Sequence, residues 1–318
     1  MAHMVDTMAY AGEVPWHGLG VPVSNDLTPA QMMQKAGVDW QVHEVESFIE
    51  FGGKRMKTGQ KSLVRGDNGR ILTNVGENWK PVQNEKAFDF FSEFVLSGDM
   101  EMHTAGSLRN GEYVWALAKV KESFDVFGED RVDSYLLFSN PHQYGKSIDV
   151  RFTPIRVVCN NTLTLSLNQT TKNGVRVGHR TDFDADAVKS TLGLAHEKFA
   201  KYKEMAEFLG SRKTTAESLI QYYNEVFPNT TRSEIPKPVA QYEDLSRNAK
   251  LCYDALEIQP GAEYAKGTWW QAFNSITYIT DHVQGRNADN RLHSQWFGQN
   301  QARKVVAAEK AVEYAKAA

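Results

Sequence analysis

Hydrophobic and polar positions alternate along much of the first half of the chain, as they do in β-strands with one buried face. Glycine-containing turns such as Gly52-Gly53 separate the alternating segments. A helical spacing of apolar residues appears over 27–36, where Thr28 is the expected N-cap, and over 82–96. The pattern predicts strands over residues 40–51, 55–65, 70–75, 100–108, 113–121, 132–139 and 147–152.

The second half of the chain has the apolar spacing of helices. It predicts helices over 185–208, 214–227, 240–256, a segment capped by Thr268, and 300–316, with loops over 10–23, 228–238 and 285–291. Strands followed by helices predict an α+β fold, an antiparallel β-meander flanked by helices and then a mostly helical C-terminal region. We expect a core domain over 5–190 and the helical region over 191–318, with residues 1–4 a cloning remnant.

The segment 151–167 combines apolar residues with polar residues whose burial costs free energy. It predicts the end of a strand that continues into a buried helix, with Thr153 as N-cap. Arg156 and the pair Asn160 and Asn161 would lie on that helix, where polar groups need partners. Two interpretations stay open: these residues tie the helix to neighbouring loops, or they face an anionic ligand.

Composition indicates a globular protein, with 41% hydrophobic and 24% charged residues in 318 positions. A net charge of -3 argues against a polybasic DNA coat but allows a local basic groove. Cys159 and Cys252 provide neither a disulfide framework nor a zinc pattern, which favours a reducing cytoplasm. There is no apolar run of membrane-spanning length and no visible signal peptide.

Motifs of catalysis and cofactor binding are absent from the sequence. It has no P-loop, no dinucleotide fingerprint, no nucleophile elbow and no paired metal-ligand histidines. Asp182, Asp184 and Asp186 alternate, but an EF-hand needs glycine and glutamate where Ala187 and Gly193 stand, so we expect them to favour a helix start. We predict no catalytic residue, no metal and no cofactor, while an enzyme built from scattered histidines stays an open alternative.

Basic and aromatic residues are mixed between residues 138 and 156. Proteins that bind single strands combine a cationic groove with aromatic stacking platforms. The alternative interpretation is that these aromatics are ordinary core. The predicted nucleic-acid site consists of Lys146, Arg151, Arg156, Asn160, Asn161, His142, Tyr144, Arg176 and Arg180.

Several motifs point to a known family. They are Pro15-Trp-His-Gly-Leu-Gly20, Gly111 with Val114-Trp115, Thr153-Pro-Ile-Arg-Val-Val-Cys-Asn-Asn-Thr162, Gly267-Thr-Trp269, Tyr278 and Asp281-His282. They resemble the phage/plasmid-like protein family, a domain of unknown function found in phages, prophages and mobile plasmids. The resemblance implies such an origin and a bacterial cytoplasm, and it supplies no established catalytic residues.

A second resemblance concerns architecture alone. Helix, antiparallel meander and following helix are similar to the core of phage single-strand annealing proteins of the RecT, Red-beta and Erf group. That resemblance implies a basic groove for single-stranded DNA in oligomeric rings. The leading hypothesis is a non-enzymatic DNA-metabolism protein that binds single-stranded DNA, acts in recombination by annealing, and forms a homo-oligomer. The alternative is a module that binds a host protein as a counter-defence or host-takeover factor.

Overall fold

The computed structural model describes residues 5–12, 19–156, 161–162, 174–180, 182–192, 195–229, 239–285 and 288–318. The strands are Val5–Ala11 (β1), Val21–Val23 (β2), Val42–Phe51 (β3), Lys54–Arg65 (β4), Ile71–Gly76 (β5), Met100–Leu108 (β6), Tyr113–Val126 (β7), Asp130–Pro141 (β8), Ile148–Arg156 (β9), Asn161–Thr162 (β10) and Gly174–Val177 (β11). The α-helices are Pro29–Lys35 (α1), Asn84–Asp89 (α2), Ser92–Leu96 (α3), Ala185–Leu192 (α4), Ala195–Ser211 (α5), Ala216–Val226 (α6), Arg247–Asp254 (α7), Trp269–Tyr278 (α8), Ala288–Phe297 (α9) and Gln299–Ala317 (α10). Mostly antiparallel strands precede a helical C-terminal region, so the predicted α+β class is confirmed.

Two sheets organise the strands. The larger has the order β10-β9-β8-β7-β6-β1-β2, with β11 also paired to β9, and the smaller has the order β3-β4-β5. Within the larger sheet β1 and β2 are parallel, whereas β1 with β6 and β6 with β7 are antiparallel. All seven predicted strands are present, with ends that differ from the prediction by at most a few residues. Thr28 caps α1 as predicted, because its hydroxyl accepts from the Gln31 amide.

The chain divides into two compact units. Unit 1 comprises the described residues of Met1–Lys121, Tyr135–Phe152 and Gly174–Leu194. Unit 2 comprises those of Glu122–Ser134, Thr153–Asn173 and Ala195–Ala318. Strands β7, β8 and β9 therefore each give one part to each unit.

Aromatic packing fixes the core of unit 1. Phe90 and Phe91 are both buried, and their rings lie 5.3 and 6.2 Å from the ring of Phe138. Both residues keep right-handed helical backbone angles, but they form the two-residue turn that separates α2 from α3. The single helix predicted over 82–96 is accordingly wrong, and the structure breaks it into α2 and α3.

Helix α8 is the centre of unit 2. Every residue from Trp269 to Thr277 is buried, and a π-helical turn, Ile279–Val283, extends the helix. Thr268 caps it by accepting from the Gln271 amide, which confirms the predicted cap. The Trp270 indole N–H donates to Asp130 at 3.0 Å, which ties α8 to the start of β8 inside this unit.

The helix predicted from Thr153 is wrong where the structure describes it. Residues 153–156 continue β9, and Arg156 and Ile155 pair with Asn161 and Thr162. Ile148, Val150 and Phe152 are buried at period two before the expected cap, and the pairing of Ile155 and Arg156 extends the strand beyond it. Residues 157–160 and 163–167 of the predicted helix lie outside the described residues.

Other element predictions need smaller corrections. Residues 10–23 are not only a loop, because Tyr10 and Ala11 complete β1 and residues 21–23 form β2, where Val23 pairs with Ala11. The predicted loop 285–291 runs into α9, whose buried Leu292 and Trp296 follow the helical spacing. The predicted helix 240–256 begins only at Arg247, because Ser246 caps it. The predicted helix 185–208 is assigned as α4 and α5, with residues 193–194 between them outside the described residues.

Membrane-spanning helices and cysteines are considered for the described residues alone. None of their helices is both long and apolar enough to cross a membrane. Cys252 is a free, buried cysteine on α7, and burial raises the pKa of its thiol well above the ordinary value. Cys159 lies outside this part of the chain.

Candidate nucleic-acid interface

A cavity of about 550 Å³ opens in unit 1 where β5 ends. Its volume is within the range of roughly 300–1,000 Å³ that is typical of small-molecule sites. Tyr144 and Arg180, two residues of the predicted site, both line it. The complete lining is Gln60, Asn74, Val75, Gly76, Glu77, Asn78, Trp79, Tyr144 and Arg180.

An aromatic stack forms the rigid wall of the cavity. The chain turns after β5, where the Trp79 amide donates to Gly76 at 3.1 Å. The indole of Trp79 is buried and stacks on His179, with the ring centroids 4.0 Å apart and an interplanar angle of 18°. This stack holds the segment around residue 79 against the segment that carries Arg180.

Hydrogen bonds between Lys80 and residues 179–182 fix the position of Arg180. The Lys80 amide donates to the His179 carbonyl at 2.6 Å, and the imidazole Nδ1 lies 3.1 Å from the Lys80 carbonyl. The Lys80 ammonium also donates to Asp182 at 2.9 Å. Arg180, between these anchors, is exposed at the cavity.

The loop that carries Tyr144 is anchored at Gln143. The Tyr113 hydroxyl donates to the Gln143 side chain at 2.6 Å, and the Lys146 amide donates to the Gln143 carbonyl at 3.2 Å. The loop turns outward between these contacts, so Tyr144 keeps 65% of its surface exposed. The other phenyl rings between residues 138 and 156, those of Phe138 and Phe152, are buried, which confirms the core interpretation for them.

The groups around the cavity suit a planar, hydrogen-bonding ligand with a negative charge. Tyr144 offers an exposed ring for stacking and Arg180 offers a guanidinium. The amides of Gln60, Asn74 and Asn78 offer donors and acceptors, and the Glu77 carboxylate accepts only. A lining with one cation and one carboxylate favours a base edge beside a single phosphate over a cluster of phosphates.

Arg151 and Arg176 are brought together elsewhere in unit 1, on β9 and β11. Arg176 lies opposite Asp149 in the strand ladder, and the Arg151 guanidinium donates to Asp149 at 2.9 Å. The Arg151 side chain is only 15% exposed, and burial lowers its pKa, which Asp149 opposes and Arg176 reinforces. Arg151 is therefore mainly a partner of Asp149, while Arg176 is exposed.

The predicted role of His142 in binding is wrong, because the side chain is completely buried. Its Nε2 lies 2.8 Å from the Asn84 carbonyl oxygen. Burial lowers the pKa of His142 to about 3, with smaller contributions from the positive charges of His179 and Arg65. It is a neutral core residue that no ligand outside the core can contact.

The remaining predicted residues are placed only in part. Lys146 is exposed in the loop that follows Tyr144. The backbones of Arg156 and Asn161 pair across β9 and β10. Their side chains and the whole of Asn160 lie outside what the structure describes, so both interpretations of these three residues stay open.

The sequence analysis missed the polar residues on β5 and in the turn after it. Asn74, Glu77 and Asn78 line the cavity beside Trp79. Their signal was a dense run of polar residues directly after a predicted strand, where binding groups commonly lie. Only the fold shows that this run faces the loop of Tyr144, nearly 70 residues further along the chain.

The acidic run before α4 has the predicted structural role. The Asp184 carboxylate accepts from the amides of Asp186 and Ala187 at 3.1 and 3.0 Å, so it caps the helix. Within the described ranges, no group of three or more His, Cys, Asp or Glu side chains is placed to hold a metal ion.

Comparison with known proteins identifies a family for this chain. A family model described as a domain of unknown function, DUF932, matches residues 71–305. No curated protein and no solved structure matches the chain. The expected assignment to a domain of unknown function is confirmed at that level.

Proposed function

This chain belongs to the DUF932 family, a domain of unknown function, and from its cavity we propose that it binds single-stranded DNA and is not an enzyme. The observation that carries the proposal is the meeting of Tyr144 and Arg180 at one cavity. An exposed ring stacks on an unpaired base, and the guanidinium binds the adjoining phosphate. A base is accessible in this way only when the strand is single.

The amides support the same ligand. Gln60, Asn74 and Asn78 present the hydrogen-bonding groups that recognise base edges. Exposed Lys146 lies two residues beyond Tyr144 and adds a cation close to the path of a strand. Arg180 and Glu77 balance each other in the cavity lining, so Lys146 supplies the excess positive charge of the region.

The biological setting in this proposal rests on the sequence motifs. The resemblance to phage and plasmid proteins supports an origin in a phage, prophage or mobile plasmid, acting in the bacterial cytoplasm. The antiparallel meander supports a role in recombination by annealing, although the helix expected after it is absent at residues 153–156 and 161–162. A homo-oligomer is part of the proposal, and light scattering with and without oligonucleotide measures it.

The test is the binding of a labelled oligothymidylate, compared with duplex DNA, across a salt series. We expect preference for the single strand and an affinity that falls steeply with salt. Tyr144→Ala should weaken binding by roughly 5- to 150-fold, the range for one stacked base, whereas Tyr144→Phe keeps the ring and the affinity.

Arg180→Ala should reduce the slope of log affinity against log salt by about 1, because it removes one phosphate contact.

Matched variants separate the cavity from general surface charge. Arg70→Ala removes an exposed cation at the opposite end of β4 and β5 and should change little. A Cβ at Gly76 would meet no atom within 4 Å, so Gly76→Leu should obstruct the cavity without a clash at Cβ. Absence of binding at low salt, or full binding by Tyr144→Ala and Gly76→Leu, would overturn the proposal and favour a protein partner.

A further inference from the structure

The hairpin formed by β3 and β4 extends past the third strand of its sheet. Strand β4 pairs with β5 only from Gln60 onward, whereas its pairing with β3 continues to Phe51 and Lys54. Residues 54–59 therefore project without a second neighbour strand. At about 3.3 Å per residue, they carry the tip roughly 20 Å beyond β5.

One face of this hairpin tip (residues 48–57) is apolar and exposed. Ile49 lies opposite Met56, and Phe51 opposite Lys54, so these four side chains share a face. Phe51 is 78% exposed, Ile49 52% and Met56 42%. A cluster of large apolar residues held out in water marks a binding surface.

The opposite face of the tip is cationic as well as aromatic. The guanidinium carbon of Arg55 lies 4.0 Å from the centre of the Phe48 ring. The tip carries Lys54, Arg55 and Lys57 against Glu50, and because Lys57 is paired with Glu46 at 2.7 Å, the excess positive charge lies at Lys54 and Arg55. A net positive tip in a chain of net charge -3 is complementary to a polyanion that also presents apolar faces, which is the chemistry of a single nucleic-acid strand.

The tip and the cavity belong to one sheet. Gln60 and Gly76 pair across β4 and β5, and both line the cavity. The projecting part of the hairpin begins at residue 59, directly before Gln60 in β4. A strand seated in the cavity thus lies at the base of the hairpin. The distance of roughly 20 Å corresponds to about six nucleotides at the 3.4 Å spacing of stacked bases.

We propose that the hairpin tip is a second contact for the same DNA strand, with Phe51 as a stacking platform and Lys54, which shares its face, on a phosphate. This inference rests on the proposed function of the cavity. It makes the affinity depend on length, because a short oligonucleotide fills the cavity and a longer one also reaches the tip.

The experiment compares oligothymidylates of about four and about twelve nucleotides, within the usual site sizes of single-strand binders. For the long oligonucleotide, Phe51→Ala should lower the affinity of the full chain by roughly 5- to 150-fold, and for the short one it should leave it unchanged. Leu96→Ala removes a side chain that is 83% exposed elsewhere in unit 1 and serves as the matched control. Circular dichroism verifies that each variant keeps the fold.

The outcomes separate the two proposals. If Phe51→Ala and a Lys54→Glu/Arg55→Glu variant bind the long oligonucleotide as the unchanged protein does, while Tyr144→Ala does not, the hairpin inference is overturned and the cavity proposal stands. If Phe51→Ala weakens both lengths equally, the tip is not a second, length-dependent contact and the inference is also overturned. Absence of binding to either length by the unchanged protein removes both proposals.

Discussion

At the scale of single residues, Asn84 decides the state of His142. Its amide nitrogen donates to the carbonyls of Val38 and Trp40, at 3.0 and 3.2 Å. Its oxygen therefore accepts, both from Asn140 at 3.3 Å and from the imidazole Nε2 at 2.8 Å. A neutral His142 must therefore carry its proton on Nε2. Asn84 provides no hydrogen bond that would stabilise a second proton on this buried ring.

Acid should destabilise unit 1 through His142. The pKa of this residue is about 3 in the fold and near its ordinary 6.5 in the unfolded chain. Between those values the unfolded state binds more protons, so the free energy of unfolding decreases as the pH falls, by about 1 kcal/mol per pH unit. His179, whose pKa burial also lowers, adds a contribution of the same sign.

Urea denaturation at pH values between about 7 and 5 measures this dependence. His142→Gln keeps an amide donor near Asn84 and removes the titrating group, so its stability should vary less with pH. An equal pH dependence in His142→Gln and the unchanged protein would contradict the assignment to His142.

The residues named from the sequence line the cavity only where their side chains are exposed. Tyr144 and Arg180 were named from the mixture of aromatic and basic residues, and both line the cavity. His142 and Arg151 carry the same residue-type signal but are buried or paired. A sequence pattern records chemistry and not exposure, and exposure depends on which distant segments cover a side chain.

At the scale of elements, the π-helical turn Ile279–Val283 carries a buried charge. The Lys304 ammonium on α10 donates to Asp281 at 2.8 Å, and neither side chain is exposed. Asn300, one turn earlier on α10, donates to the Thr280 carbonyl at 2.6 Å. These contacts attach α10 to the end of α8, and the charged pair is tolerated because each charge has a partner.

Removal of one partner should be much worse than removal of both. Lys304→Met leaves the Asp281 carboxylate without its ammonium and should lower the free energy of unfolding by about 3–5 kcal/mol. The double variant Lys304→Met/Asp281→Leu removes both charges and should recover most of that loss. Chemical denaturation of the two variants measures the difference, and a double variant as unstable as the single one would contradict this account.

In β9 a local helix-start signal competes with pairing between strands. The sequence Thr153-Pro154 is a strong helix-start signal, yet both residues lie in β9. The ladder to Asn161 and Thr162 pairs the next two residues, Ile155 and Arg156, whose backbone groups a helix would have satisfied within itself. The capping signals at Thr28 and Thr268, by contrast, agree with the structure, because each hydroxyl accepts from a backbone amide of the helix that follows.

At the scale of the whole molecule, unit 2 depends on residues from the middle of the chain. Asp130 accepts from the Trp270 indole, and the Phe127 ring lies 6.4 Å from it. A Cβ at Gly210 would lie 1.8 Å from the tip of Phe127. Glycine at this position of α5 therefore leaves the space that the Phe127 ring occupies. The predicted region 191–318 contains neither Phe127 nor Asp130.

A fragment of residues 191–318 should therefore fail to unfold cooperatively. It would leave the buried Trp270 N–H without its acceptor and the Phe127 site empty, which removes both a hydrogen bond and core packing. Near-UV circular dichroism and urea unfolding, compared with the full chain, measure this. Asp130→Ala in the full chain gives the effect of the hydrogen bond alone. A fragment that unfolds cooperatively would support the predicted boundary at residue 190.

The sequence by itself determined the fold class, seven of the eleven described strands, most helices, and the helix caps at Thr28 and Thr268. These depend on the spacing of apolar residues and on local hydrogen bonds, which a linear pattern records. Only the tertiary structure decided that Tyr144 and Arg180 meet the turn after β5, that His142 is buried, and that the hairpin tip stands clear of β5. Such placements are contacts between distant segments, and the free energy that selects them comes from packing of the whole chain.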